Sequence, residues 1–135
     1  MFPSYRSRWL PDTPAQRKLV VDRLRDWFPF SNSSPVEGIV EAIRTYYSSG
    51  KRISLYVLGD EFTGTSVDSV VRAVDQINRE DKTGQRRVRI HALAFPVRPD
   101  APQFTSVRFA TLMRELCARN GGTFVGLNEP ASYRR

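Results

Sequence analysis

Three short runs rich in β-forming residues, Ile53 to Leu58, Val88 to Phe95 and Thr123 to Leu127, are separated by segments with helical grammar. This alternation constrains the fold more than any other feature. Strands joined by helices cannot close as hairpins, because parallel pairing needs a crossover of roughly a dozen residues or more, usually helical. The pattern therefore predicts an α/β fold with a mostly parallel, Rossmann-like sheet, right-handed crossovers and three layers, with helices on both faces.

The helices declare themselves through their caps. Asp12-Thr13-Pro14 places a capping side chain before a proline, and Gln16 completes a capping box with Thr13. Val20, Val21, Leu24, Trp27 and Phe28 then recur at helical spacing, and Pro29 ends the segment. Ser34-Pro35-Val36-Glu37 is a second capping box, followed by Val36, Ile39, Val40 and Ile43 on one face, with Gly50 as the expected stop. A third helix is capped at Thr65 or Ser66 and turns Val67, Val70, Val71, Val74 and Ile77 inward. The fourth, capped at Thr105, carries Phe109, Leu112, Met113 and Leu116 and closes at Asn120-Gly121-Gly122. Between them, the nearly continuous apolar character of Ile53 to Leu58 predicts a central strand covered on both faces. Pro96, Pro99 and Pro102 predict a stiff loop.

The length suits one domain spanning 1–135, with a core over 12–127 and tails at 1–11 and 128–135. No apolar run approaches the roughly 18 residues of a membrane span. The basic start lacks the apolar region of a secretory signal, so the cytoplasm is the default expectation. Cys117 cannot form an internal disulfide, and beside Leu116 it reads as a small core residue. His91, inside a strand pattern, reads as a packed or hydrogen-bonded histidine rather than a ligand or base. The net charge of +7 favours acidic partners. Its arginines are nevertheless scattered, and aromatic residues do not interleave with them as a base-stacking platform requires, so nucleic acid is not the expected partner.

Several segments together resemble the second half of a von Willebrand factor A domain. They are Ser33-Ser34 opening a helix with Glu41-Ala42-Ile43, the strand Ile53 to Leu58 followed by Gly59-Asp60, the strand Ile90 to Phe95, and the closing run Met113 to Val125 with its Gly121-Gly122 turn. The resemblance implies ligand binding at the C-terminal edge of the sheet, where open α/β folds place ligands. It also implies a divalent metal held by three motif parts. Asp60 matches the last part, although Gly59-Asp60-Glu61 stands where the family has Thr-Asp-Gly, and Ser33 or Ser34 falls where the family has a threonine. The Asp-x-Ser-x-Ser part is missing, and the chain is expected to lack the family's first two strands. Asp60 and Ser34 alone make an incomplete metal-dependent adhesion site, because Mg²⁺ needs near-octahedral oxygen coordination. Mg²⁺ is therefore not expected as a required cofactor.

Asp60 and Glu61 thus have two readings, a solvated acidic turn before a helix N-terminus or a partial metal site. The family's strand order further implies that Ile53 to Leu58, without the first strand beside it, becomes an exposed edge, which must recruit a protein partner or a second copy, or be covered by residues 1–11. The expected function is a non-enzymatic interaction module whose ligand face includes Ser33, Ser34, Asp60 and Glu61. The alternatives are a Mg²⁺-dependent phosphoryl-transfer or hydrolytic domain using Asp60 and Glu61, and a basic nucleic-acid-binding domain. A second acidic cluster, a phosphate-cradling loop and a general base, which the enzyme reading needs, are not evident in the sequence.

Overall fold

A computed structural model describes residues 2–26, 34–64, 66–79, 82–96 and 103–127. The chain divides into two compact units, Met1–Ser33 and Ser34–Arg135.

In the first unit a short 3-10 turn at Pro3–Tyr5 precedes helix α1, Pro14–Arg25. The predicted cap is present: Thr13 Oγ1 accepts a hydrogen bond from the Gln16 backbone N–H at 3.2 Å. Asp12 receives both Arg17 Nε and Nη2, at 2.5 and 2.8 Å, and this hydrogen bonding, with the adjacent positive charge, lowers the Asp12 pKa. No residue of α1 is buried, although Val20, Val21 and Leu24 predicted an inward stripe. Trp27 and Phe28, the rest of that stripe, lie outside the described residues.

The second unit holds the sheet. Its elements run α2 (Pro35–Tyr46), β1 (Ile53–Gly59), α3 (Val67–Ile77), β2 (Val88–Ala94), α4 (Gln103–Arg119) and β3 (Phe124–Gly126). The strands are parallel in the order β1-β2-β3. Ser34 Oγ caps α2 through the Glu37 N–H at 3.4 Å, and Ser66 Oγ caps α3 through the Ser69 N–H at 3.3 Å. Helix α2 stops four residues before the expected Gly50, because Tyr47 turns to an extended conformation and packs its ring against the core. Helix α4 is already formed at Gln103, so Thr105 lies in its first turn, where its carbonyl accepts from the Phe62 N–H at 3.1 Å.

Two features of the sheet differ from the expectation. Helix α3 packs beside both α2 and α4, while α2 lies on β1 and α4 on β2 and β3. Both crossovers step across the sheet in one direction, so crossovers of one hand place α3 and α4 on one face. Among the described residues of this unit the helices make a single layer, and the second helical layer expected from the sequence is not part of it. β1 is also an edge strand, and the middle position belongs to β2. β1 is apolar on both sides, which suggested double coverage; instead its exposure alternates, with Ile53, Leu55 and Val57 turned to the core and Ser54, Tyr56 and Leu58 exposed.

The core fills the space between sheet and helices. Ile39 and Ile43 of α2, Val70, Val71 and Val74 of α3, Ile90 and Ala92 of β2, and Phe109, Leu112, Met113 and Leu116 of α4 are all buried. Each fully buried Val, Leu, Ile, Phe or Met side chain stabilises the fold by about 1.5–3 kcal/mol relative to exposure. β3 is short, but its hydrogen bonding reaches the predicted ends: Thr123 O accepts from Ala92 N–H at 3.0 Å and Leu127 N–H donates to Ala94 O at 2.9 Å.

Candidate functional site

Ser34, Asp60 and Glu61 are all exposed, and Ser33 lies outside the described residues. The Ser34 hydroxyl is engaged in capping α2. Asp60 follows the last residue of β1, with Glu61 next in the loop. Among the described residues, no hydrogen bond or ion pair joins either carboxylate to Ser34. No group of three or more His, Cys, Asp or Glu side chains among them is placed to hold a metal. Asp60, Glu61 and Ser34 alone supply fewer oxygens than the near-octahedral shell of Mg²⁺, which would need water or other ligands to complete it.

The loop carrying the two carboxylates is anchored by Phe62, which stands beside Asp60 and Glu61 in sequence and carries no decisive local signal of its role. Phe62 is buried in the core, its N–H donates to Thr105 O, and the Arg108 guanidinium lies 5.2 Å from its ring centroid. Gly64 makes room for that ring, since a Cβ there would stand 2.4 Å from Phe62 Cζ. The available signal was an aromatic residue two positions before a glycine, which is too short a pattern to separate an anchor from a surface turn.

Among the described residues, the open face of the sheet carries several large exposed apolar side chains. Tyr56 and Leu58 are 60% and 59% exposed, with Phe95, Val125 and Leu127 also exposed. Register sets Leu58 beside Leu93 and Leu93 beside Val125, giving an apolar row across the three strands. One step toward the strand starts, the Tyr56 ring stacks on His91 with centroids 4.9 Å apart and planes 15° from parallel. His91 is thereby a packed histidine, as read from its strand position, and its Nδ1 accepts a hydrogen bond from the Thr123 N–H at 3.1 Å.

The outer edge of β1 adds backbone groups to this surface. Gly59 O accepts from Phe95 N–H on the β2 side. Successive residues in a strand direct their backbone groups to opposite sides, so Ile53, Leu55, Val57 and Gly59 bond toward β2. The N–H and C=O groups of Ser54, Tyr56 and Leu58 point away from the sheet, where no strand pairs with them among the described residues. The same three residues therefore offer side chains to the open face and backbone groups to the open edge.

Asn78 and Asn120, the buried polar residues of the core among those described, have structural partners. Asn78 Nδ2 donates to Val88 O and to Asn120 Oδ1, both at 2.7 Å, while Asn78 Oδ1 accepts from Val88 N–H at 2.8 Å. Asp75 lies between Arg86 and Arg119, at 3.3 and 3.1 Å. A cavity of about 360 Å³ between the ends of α2 and α3 is lined partly by Arg44, Arg79 and Arg87. Two of these arginines are occupied at the end of α3, Arg79 donating to Gln76 O at 2.9 Å and Arg87 to Ile77 O at 3.3 Å. Cys117 is buried, and burial raises its thiol pKa, with a partial offset from a hydrogen bond to the Ala92 backbone. These features favour a core thiol over a nucleophile.

Comparison of the chain with protein-family models, with curated proteins and with solved structures gives no match in any of the three.

Proposed function

We propose that this chain is a non-enzymatic protein-interaction module that binds through the open face of its sheet and the outer edge of β1. The observation that carries the reading is the coincidence, at Tyr56 and Leu58, of large exposed apolar side chains with outward-facing backbone groups. An exposed apolar edge strand is a template for strand addition, in which main-chain hydrogen bonds supply affinity and alternate side chains supply specificity. Asp60 and Glu61, at the end of the same strand, add an acidic rim to that surface. The parallel order and capped helices also support, within this proposal, kinship with the later half of a von Willebrand factor A domain. Binding in that case is independent of Mg²⁺.

Selection of displayed random peptides against the chain tests this reading. Extended peptides should emerge, and their affinity should fall at least about tenfold in Leu58→Asp or Val125→Asp, as expected when an interface anchor is lost. Peptides indifferent to both substitutions, or no peptides at all, would reject the location. A phosphatase screen with Mg²⁺ addresses the enzymatic alternative, and turnover abolished by Asp60→Ala would overturn the non-enzymatic assignment.

A further inference from the structure

Resting on that interaction reading and naming its partner, we propose that the surface binds a second copy of this chain, with β1 of one copy antiparallel to β1 of the other about a two-fold axis at Tyr56. Antiparallel strands form hydrogen-bonded pairs only between residues whose backbone groups face each other. Within β1 those residues are Ser54, Tyr56 and Leu58, as fixed by the Gly59–Phe95 hydrogen bond on the opposite side. Centring on Tyr56 pairs all of them: Tyr56 meets the partner's Tyr56, and Ser54 meets the partner's Leu58 at both ends. Sliding by one pair in either direction leaves one of the three without a counterpart inside the strand.

The charges flanking the strand select the same register. Arg52 precedes β1 and Asp60 follows it; both are exposed, and neither has an ion-pair partner among the described residues. Pairing about Tyr56 sets Arg52 opposite the partner's Asp60, and symmetry repeats the contact. Directly opposed residues in antiparallel strands project to one face, where opposite charges attract and like charges repel. Hydrogen-bond geometry and charge pattern, which are independent of each other, therefore agree on one alignment.

The product is a two-fold symmetric assembly with one continuous six-stranded sheet, doubling the three strands of each copy. Both helical layers lie on one side and both open faces join on the other. The stacked Tyr56–His91 pairs then form a row of four rings across the junction. Such an interface is self-complementary and closes after two copies, so it does not propagate into fibres.

Analytical ultracentrifugation of the 135-residue chain over a concentration series tests the proposal. Wild type should show a monomer–dimer equilibrium. Tyr56→Pro should be monomeric with unchanged far-UV circular dichroism, because the lost N–H faces outward and proline is tolerated on an edge strand. Arg52→Asp or Asp60→Arg alone should weaken the dimer about tenfold, since each places like charges opposite one another twice, and combining the two should return the affinity to within about threefold of wild type. A dimer untouched by Tyr56→Pro, or a combined variant no tighter than either single one, overturns the register. A monomer that still binds selected peptides overturns self-pairing alone; a chain that neither dimerises nor binds peptides overturns the interaction reading as well.

Discussion

Replacing Asn78 with Ala should be among the most damaging single changes in the chain, and its cost can be worked from the backbone. Val88, like Ala92 and Ala94, turns its N–H and C=O toward the β3 side, but β3 pairs only with residues Ala92 to Ala94. At Val88 there is no third strand to receive them. The Asn78 carboxamide takes that place, accepting from Val88 N–H at 2.8 Å and donating to Val88 O at 2.7 Å, while also donating to Asn120 Oδ1. Alanine leaves these three groups without that partner, and a buried group stripped of its hydrogen bond costs about 1–3 kcal/mol. Asn120 Nδ2 keeps its bond to Leu116 O at 2.7 Å and holds that side chain in place, but Asn120 Oδ1 is left without its donor, as are the two Val88 groups. The three losses sum to about 3–9 kcal/mol, against a total of about 5–15 kcal/mol for a typical domain. In urea unfolding followed by far-UV circular dichroism, the midpoint should fall by about 1–3 M. Asn78→Asp should not rescue the loss, because its second oxygen would face two acceptors. A loss below about 1 kcal/mol in Asn78→Ala, with the slope unchanged, would refute the argument that this side chain substitutes for a strand.

The two glycines that close α4 should respond differently to alanine. At Gly122 a Cβ would stand 1.8 Å from Ile90 O, a backbone atom that cannot move aside, so Gly122→Ala should cost at least about 3 kcal/mol in the same unfolding assay. Gly121, at φ +65° with open space around it, should cost only about 1–2 kcal/mol, and the reverse ranking would contradict the packing described. Cys117 should react with a thiol-exchange reagent at least about 100-fold more slowly in the native protein than in urea, as burial disfavours the thiolate. Because its folded pKa is raised, its contribution to stability is fully present below the unfolded thiol pKa and lost as pH rises through the folded one; a native thiol as reactive as the unfolded one would exclude this. Asp60→Ala should change stability by less than about 0.5 kcal/mol. A Mg²⁺-induced rise in Tm that disappears in this variant would instead reveal a metal site.

What could be read from the sequence and what could not divides along the range of the interaction involved. Thr13, Ser34 and Ser66 each satisfy an N–H three residues ahead, so a window of four residues contains the whole cause, and all three caps form. The inward valines of α3 and the buried face of α4 follow equally local periodicities. Sheet order contains no such local cause. Ile53 to Leu58 would read the same in the middle of a sheet as at its edge, because Tyr56 and Leu58 suit a helical cover as well as a second chain. Phe62 and Asn78 were passed over for the same reason: their partners, Thr105 and Arg108 for one, Val88 and Asn120 for the other, are distant in sequence.

The non-local arrangement changes what the predicted site residues can do. The sequence offers Asp60 two roles, a solvated acidic turn or, with Ser34, part of an incomplete metal site. The structure gives the Ser34 hydroxyl to α2 and leaves Asp60 exposed just past an edge strand, eight residues after Arg52 on the same strand path. Arg52 and Asp60 lie one residue before and one residue after β1, equally far along the sequence from Tyr56. Among the described residues no group of His, Cys, Asp or Glu side chains gathers around that carboxylate to hold a cation, whereas Arg52 of an antiparallel copy supplies the complement it needs. The acidic strand end is thus better matched to a guanidinium across an interface than to Mg²⁺, and the charge-exchange pair distinguishes the two, because a metal site at Asp60 would be destroyed by Asp60→Arg and could not be recovered by Arg52→Asp.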